Sequence, residues 1–373
     1  MGGAAMTDSP FILLAAGGTG GHVFPAEALA GVLEARGCRL GLMTDVRGQE
    51  YGGTLGRLET WRVEAGGIAG RGLGGRLSGM LKLSKGVFQA WPLLTQLKPD
   101  VVVGFGGYAS FPAVVAASGL KRPSVIHEQN AVLGRANRML AKRASAVATA
   151  LPAVRFLPPG KGRHVGNPVR AGILTARETP YASPGEAGPI RLLVTGGSQG
   201  ARALTDLVPA ALAALPNELR GRLAVAQQCR PEDLERGRAA YAEAGITAET
   251  ETFFEDMPQR LAAAHLVICR AGASTVAELT CVGRPALLIP FPFATDDHQT
   301  ANARALDAAG AAWLAPQDSL DVATLSARLA ALLSDGAALA AAAANARDLG
   351  RPDAAERLAD LVLSLTPTRE TAA

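Results

Sequence analysis

A histidine closes the first glycine string of this chain, Gly17-Gly-Thr-Gly-Gly-His22. An imidazole exchanges protons near neutral pH, so His22 is a candidate general base; the plainer role for a lone histidine is structural. Glycine turns let backbone N–H groups approach an anion, and a helix start behind such a turn favours negative charge. Three more turns of this kind follow apolar runs. They are Gly104-Phe-Gly-Gly-Tyr108, Gly196-Gly-Ser-Gln-Gly200 and Ala271-Gly-Ala-Ser-Thr275. Two lie in each half of the chain. The pattern implies two nucleotide-type domains facing a cleft, with phosphate chemistry between them.

Other strand-end residues could act beside these turns. His127-Glu-Gln-Asn130 sets four polar residues after an apolar strand, a costly burial unless they line a polar cleft. There Glu128 would orient a partner and Asn130 would reach a substrate. Ser198 falls near a helix start, a natural phosphate contact. Ser274 or Thr275 can cap the next helix or bind phosphate. Glu278 is either a capping-box glutamate or an acceptor for sugar hydroxyls. Neither a dehydrogenase fingerprint nor a Walker loop fits: the third glycine is misplaced after Gly18-Thr-Gly20, and no Gly-Lys-Ser/Thr follows.

These residues need parallel strands to hold them. Buried parallel strands read as continuous apolar runs. Such runs predict strands at 11–16, 39–44, 101–104, 124–127 and 146–150, with a helix over 25–36 after the first. The second half restarts at 190–195 and continues near 223–227, 250–254, 266–269 and 286–290. Alternation with helical patterns predicts an α/β fold of two doubly wound, Rossmann-like domains. The first spans residues 1–177. A linker rich in proline and glycine covers 178–189, the second domain spans 190–350, and 351–373 form a tail, loose from Pro367 onward. Residues 323–347 are alanine-rich and helical.

At 373 residues, with 48% hydrophobic and 19% charged residues, the chain suits two folded domains. A net charge of +4 and a pI near 9.0 fit an anionic substrate or an anionic membrane face. No basic run or RNA-binding signature supports a nucleic-acid partner. Cys38, Cys229, Cys269 and Cys281 form no Cys-x-x-Cys pair and read as reduced core thiols. No apolar stretch approaches the roughly 18 residues of a spanning helix, and the run at 11–16 is too short for a signal peptide. The chain is therefore expected inside the cell. Residues 1–10 show no pattern, which leaves Met6 as an alternative start. One helical stretch stands apart: Leu77, Met80, Leu81, Phe88 and Trp91 can share a face, with Arg71, Arg76, Lys82 and Lys85 around it. It is a core helix or a patch that dips into anionic lipid.

Taken in order, the Gly-Gly-Thr-Gly-Gly-His loop, the Gly-Gly-Tyr loop, His-Glu-Gln-Asn, Gly166-Asn-Pro-Val-Arg170, Gly-Gly-Ser-Gln-Gly-Ala and Asp296-Asp-His-Gln299 resemble the MurG-type family of N-acetylglucosamine transferases over about residues 11–350. The resemblance implies a GT-B glycosyltransferase fold. It implies transfer of N-acetylglucosamine from UDP-N-acetylglucosamine to the undecaprenyl-linked muramyl-pentapeptide (lipid I), giving lipid II for peptidoglycan. By the same likeness the second domain holds the donor. Thr19, Gly20, Gly21, Asn130, Arg170 and Ser198 contact it, Phe254 meets uracil through its backbone, and Ala273, Ser274, Thr275, Val276, Ala277 and Glu278 wrap the nucleotide, with Glu278 on the ribose. Gln299 is a sugar contact. Gly18, Gly106, Gly107 and Tyr108 face the acceptor diphosphate. His298 departs from members that carry Gln there. The likeness also favours the membrane reading of the Leu77–Trp91 face and a peripheral place on the cytoplasmic side of the cell membrane.

The chemistry is consistent with this resemblance. Cleaving a sugar–phosphate bond builds positive charge on the ring and negative charge on departing UDP. Backbone N–H groups can stabilise that diphosphate, and no Asp-x-Asp calls for a metal or other cofactor. Inversion at the anomeric carbon follows from the resemblance. A related enzyme with another lipid acceptor, a non-catalytic sugar-nucleotide sensor and an NAD-dependent oxidoreductase are the alternatives, the last disfavoured by the misplaced glycine.

Overall fold

The computed structural model describes residues 9–18, 20–46, 51–66, 73–197 and 200–367. The chain divides into two compact units, residues 1–170 with 353–373, and residues 171–352. Thr19, Ser198 and Arg71 lie outside the described residues, as does the tail beyond Pro367.

The strands of the first unit are β1 (Phe11–Ala15), β2 (Arg39–Asp45), β3 (Thr60–Val63), β4 (Val101–Gly104), β5 (Ser124–Glu128), β6 (Ala146–Thr149) and β7 (Gly162–His164). Its helices before the boundary are α1 (Gly20–Ala35), α2 (Leu73–Leu97), α3 (Phe111–Gly119) and α4 (Arg135–Leu140). All the strands pair in parallel, in the order β3-β2-β1-β4-β5-β6-β7. Both faces are covered, which explains the uninterrupted apolar run of β1. Ile12 and Leu14 pack with Leu29 and Leu33 of α1, while Leu13 and Ala15 pack with Leu94 of α2 and Val114 of α3.

The second unit comprises α5 (Ala171–Ala176), β8 (Ile190–Thr195), α6 (Arg202–Ala213), α7 (Asn217–Arg220), β9 (Leu223–Gln228), α8 (Leu234–Glu243), β10 (Thr247–Glu251), α9 (Met257–Ala263), β11 (Leu266–Cys269), α10 (Ala273–Val282), β12 (Ala286–Leu288), α11 (His298–Ala308), β13 (Ala312–Leu314), α12 (Val322–Ser334) and α13 (Gly336–Leu349). Its parallel order is β10-β9-β8-β11-β12-β13. Both sheets therefore reverse direction once, between β1 and β4 and between β8 and β11. Such switch points open a ligand crevice at the strands' carboxyl ends. The glycine turns of the sequence fall at these two places.

Several expectations are corrected. The helix expected from Pro25 begins five residues earlier, at Gly20, and carries Pro25 inside it. His22 thus sits in the first turn of α1 rather than in a loop. Proline lacks only one helical N–H, and Gly21 four residues before it keeps the crowding small. The unit boundary falls at 170/171, not at 178–189. That segment and the residue before it are tied to the second unit: Arg177 donates to the Cys281 carbonyl at 2.5 Å, Tyr181 to the His265 carbonyl at 2.9 Å and Ser183 to the Gly336 carbonyl at 2.8 Å. Most of the expected tail before Pro367 is helical and belongs to the first unit. Helix α14 (Ala354–Leu363) packs against α1 through Leu358, Ala359 and Val362. The alanine-rich stretch is two helices, broken where the Asp335 carboxylate accepts from the Ala338 N–H at 2.8 Å. Of the cysteines, Cys38 is half-buried and the other three are buried, all as free thiols.

Candidate functional site

In the first unit the residues after β5 form a connected polar cluster. Glu128 is 2% exposed, yet its carboxylate has four donors. They are the backbone N–H groups of Asn130 (3.0 Å) and Gly134 (2.8 Å) and the side-chain amides of Asn130 (3.3 Å) and Asn137 (2.9 Å). A buried carboxylate is tolerable only when so paired. Glu128 therefore holds the 130–137 segment in place, with both oxygens engaged.

His127 is fully buried and its Nε2 lies 3.0 Å from the Gly166 carbonyl, which can only accept. The proton is therefore on Nε2, and Nδ1 accepts from the Gln129 side-chain amide at 3.2 Å. Burial pushes the His127 pKa down to about 4, against the favourable carbonyl contact, so the ring is neutral at pH 7. The same Gln129 amide nitrogen donates to the Phe105 carbonyl at 2.8 Å. Its Oε1 is buried and without a hydrogen-bond partner.

His22 meets this cluster across the second glycine turn. Gly106 and Gly107 have φ of +84° and +65°, which glycine adopts without strain. They also place the turn against the imidazole: a Cβ on Gly106 would lie in ordinary contact, 3.4 Å from His22 Cε1, 3.5 Å from Gln129 Oε1 and 3.5 Å from Asn137 Nδ2. A Cβ on Gly107 would lie 3.4 Å from His22 Nε2. Among the described residues, His22 Nδ1 is buried without a hydrogen-bond partner, as is Gln129 Oε1. Burial lowers the His22 pKa, offset in part by the Glu128 charge, the Phe105 carbonyl and the Gln129 side chain. The result is a neutral imidazole at physiological pH, able to accept a proton. The Ser110 hydroxyl donates to the Gly106 and Gly107 carbonyls at 3.0 and 3.2 Å and fixes the turn next to Tyr108. On the next turn of α1, the Arg170 guanidinium stacks 4.7 Å above the Phe24 ring.

The sequence assigned no role to His127 and Gln129, although it marked their tetrad. Alternation along a strand end is the signal that could have separated them, since Glu128 and Gln129 must face opposite ways.

In the second unit, α10 opens at Gly272, so Ser274 and Thr275 lie inside its first turn and neither is its cap. Ser274 Oγ is buried without a hydrogen-bond partner, and the half-buried Glu278 stands at the sixth helical position, beyond the capping-box site. The capping reading of Glu278 is thereby excluded. Val276 is buried in the core, while Ala273 and Ala277 are half-buried. Phe254 follows β10 by three residues, because that strand runs 247–251 rather than 250–254. Its ring is buried under Arg260, 4.0 Å away, which Glu249 pairs at 2.7 Å through both oxygens and Asp256 at 2.7 Å. Gln299 accepts from the Phe291 N–H at 2.9 Å, and His298 Nδ1 lies 2.8 Å from the Thr295 carbonyl. Both side chains thus brace the loop after β12.

The face of α2 is exposed, not core. Leu77, Met80, Leu81 and Phe88 are 61%, 55%, 64% and 79% exposed, whereas Leu83, Ala90 and Leu94 face inward. Lys82 and Lys85 are exposed beside them, Lys85 pairing with Glu64 at 3.3 Å. Trp91 is only 41% exposed, and its ring occupies the space a side chain on Gly119 would need. It therefore also serves to pack α2 on α3. Among the described residues no single helix is long and apolar enough to cross a membrane.

Comparison with known proteins gives a consistent picture. Residues 12–149 match the glycosyltransferase family 28 N-terminal domain, and residues 191–358 match the glycosyltransferase family 28 C-terminal domain. A protein of Paramagnetospirillum magneticum named UDP-N-acetylglucosamine–N-acetylmuramyl-(pentapeptide) pyrophosphoryl-undecaprenol N-acetylglucosamine transferase is 58% identical over 98% of this chain and all of its own length. A protein of the same name from Rhodospirillum rubrum is 57% identical over 96% of this chain and 93% of its own. The crystal structure of Acinetobacter baumannii MurG superposes with a TM-score of 0.79 at 32% identity, covering 95% of this chain and 99% of that one.

Proposed function

We propose the following chemistry on one premise: this chain belongs to glycosyltransferase family 28 and, within it, to the MurG-type N-acetylglucosamine transferases. The protein has the GT-B fold and is a glycosyltransferase. It moves N-acetylglucosamine from UDP-N-acetylglucosamine to undecaprenyl-diphospho-N-acetylmuramoyl-pentapeptide (lipid I), forming lipid II in peptidoglycan synthesis. The observation that carries this reading is kinship along the whole chain rather than over one domain.

His22 is the general base. With its Nδ1 proton directed at Gln129 Oε1, the Nε2 lone pair beside Gly107 takes the proton of the acceptor hydroxyl as that oxygen attacks the anomeric carbon. The attack displaces UDP and inverts the centre. Catalytic hydrogen bonds are often loose before substrate binds and tighten in the complex. Support comes from two buried atoms without partners among the described residues, His22 Nδ1 and Gln129 Oε1, on the residues that flank Gly106. Glu128 acts through the segment it holds and through its charge on His22, not by taking a proton. Asn130, Arg170, Gly20 and Gly21 contact the donor from the first unit, with Thr19 beside them. The second unit holds the nucleotide through Ala273–Glu278, Phe254, Ser198 and Gln299, with Glu278 on the ribose. The acceptor diphosphate meets Gly18, Gly106, Gly107 and Tyr108. The exposed apolar face of α2, flanked by lysines, rests on the anionic cytoplasmic face of the membrane, so the enzyme is peripheral.

The test is a transfer assay that pairs UDP-N-acetylglucosamine, UDP-glucose or UDP-galactose with lipid I or a diacylglycerol. Turnover only for the first donor with lipid I is expected. Donor binding without turnover would leave a sensor, and turnover with diacylglycerol would reassign the acceptor.

A further inference from the structure

The switch point of the second unit carries two positive charges that the donor contacts above leave unused. Arg230 follows β9, whose end is fixed on both sides. The Thr195 hydroxyl donates to Gln228 Oε1 at 2.8 Å, the Gln228 amide donates to the Thr252 carbonyl at 3.2 Å, and the Cys229 N–H donates to the Glu251 carbonyl at 2.8 Å. From there the Arg230 stem lies across the glycine turn that follows β8. A Cβ on Gly200 would stand 2.8 Å from Arg230 Cγ and 3.2 Å from its backbone N. Glycine at 200 is what allows this approach. Arg230 Nε is buried and has no hydrogen-bond partner among the described residues. Its ion-pair partner there, Glu232, is 3.9 Å away and 66% exposed.

Arg270 follows β11, on the other side of the same switch point. It is 6% exposed and, among the described residues, bonded to neutral acceptors: the carbonyls of Ile289 and Pro290, both at 3.0 Å, and Gln317 Oε1 at 2.7 Å. Burial, and then the Arg230 charge, lower its pKa. A buried positive charge held by neutral acceptors is costly, and an anion in the crevice lowers that cost. A guanidinium fork matches phosphate oxygens in geometry as well as charge.

We propose that Arg230 contacts the diphosphate of the donor nucleotide, with Arg270 behind it as a fixed charge that holds the loop after β12. The proposal deepens the donor reading and rests on it. In the reaction Arg230 stabilises the negative charge that gathers on departing UDP.

The experiment is calorimetric titration of the full chain with UDP, UMP and uridine at one ionic strength, for the wild type, Arg230→Ala and Arg230→Lys. Losing a charge-assisted hydrogen bond should weaken UDP binding by about 10- to 100-fold in Arg230→Ala. Uridine affinity should change less than about twofold, and Arg230→Lys should recover part of the UDP affinity, because a point charge still attracts phosphate. Unchanged UDP affinity in Arg230→Ala overturns the proposal. So does an equal loss for UDP and uridine, which would move Arg230 to the nucleoside. A wild type that does not bind UDP overturns the donor reading itself. Should Arg230→Ala fail to fold, the lysine variant decides: wild-type UDP affinity together with a wild-type uridine-to-UDP ratio refutes the contact.

Discussion

Replacing Glu128 by glutamine separates holding a loop from taking a proton. The carboxylate accepts four hydrogen bonds, two at each end: Asn130 N–H and its amide on Oε1, Gly134 N–H and the Asn137 amide on Oε2. A glutamine has the same shape, but its NH₂ must face one of these donor pairs. Two donors, only partly buried on the Asn130 side, then lose their acceptor, and the other two lose a charge. At 1–3 kcal/mol for a buried group left unpaired, with partial relaxation of the loop, Glu128→Gln should cost about 2–4 kcal/mol. In a chain of two units this size that is a fall in Tm of about 5–15 °C, read by calorimetry. The variant also removes a negative charge that raises the His22 pKa. The acid limb of the pH–rate profile, where His22 gains a proton, should therefore move to lower pH. Turnover above that limb should fall modestly. Loss of about 10³-fold or more in turnover at every pH, with the fold intact, would refute the reasoning and make Glu128 the base. An acid limb that moved up would refute the electrostatic part.

His22→Ala should lower turnover with lipid I by about 10²–10⁴-fold and abolish the acid limb, while UDP affinity, measured by calorimetry, stays near wild type. For His127, whose folded pKa of about 4 lies below its unfolded value of 6.5, the neutral ring favours folding. Stability is therefore full above about pH 6.5 and falls as pH drops towards 4, by about 3 kcal/mol in all. Urea unfolding at several pH values should show this loss, and His127→Asn should lack that portion of it. Leu77→Ser, Leu81→Ser and Phe88→Ser together should abolish co-sedimentation with anionic vesicles, with a stability change within about 0.5 kcal/mol per site, since all three are exposed. Trp91 is left in place because its ring packs on Gly119. Undiminished sedimentation would move the membrane contact elsewhere.

Much of the architecture is legible along the chain because it is written in local patterns. Strands β1, β4 and β11 are buried on both faces, so each is an unbroken apolar run, and β8 departs from this only at the exposed Arg191; all four lead into small residues that a tight turn requires. That is enough to find the parallel sheets, the glycine turns at both switch points and the ordered motifs of the family. Edge strands β3 and β7 escaped, because a strand covered on fewer sides carries polar residues such as Arg62 and Arg163, and β13 escaped because its three apolar residues are too short a run to read. Helix α14 escaped as well: its apolar stripe pairs with α1, more than 300 residues earlier, and no local pattern records the partner. The same holds at the site. The sequence marks His22, Glu128, Gln129 and His127 as polar residues near strand ends, but their roles depend on what each side chain meets. Only the folded unit sets His22 against Gly106, closes both Glu128 oxygens with donors from the 130–137 segment, and fixes the His127 tautomer through Gly166, 39 residues away. A pKa or a hydrogen bond belongs to a neighbourhood in space, and that neighbourhood is assembled from distant segments when the sheet forms.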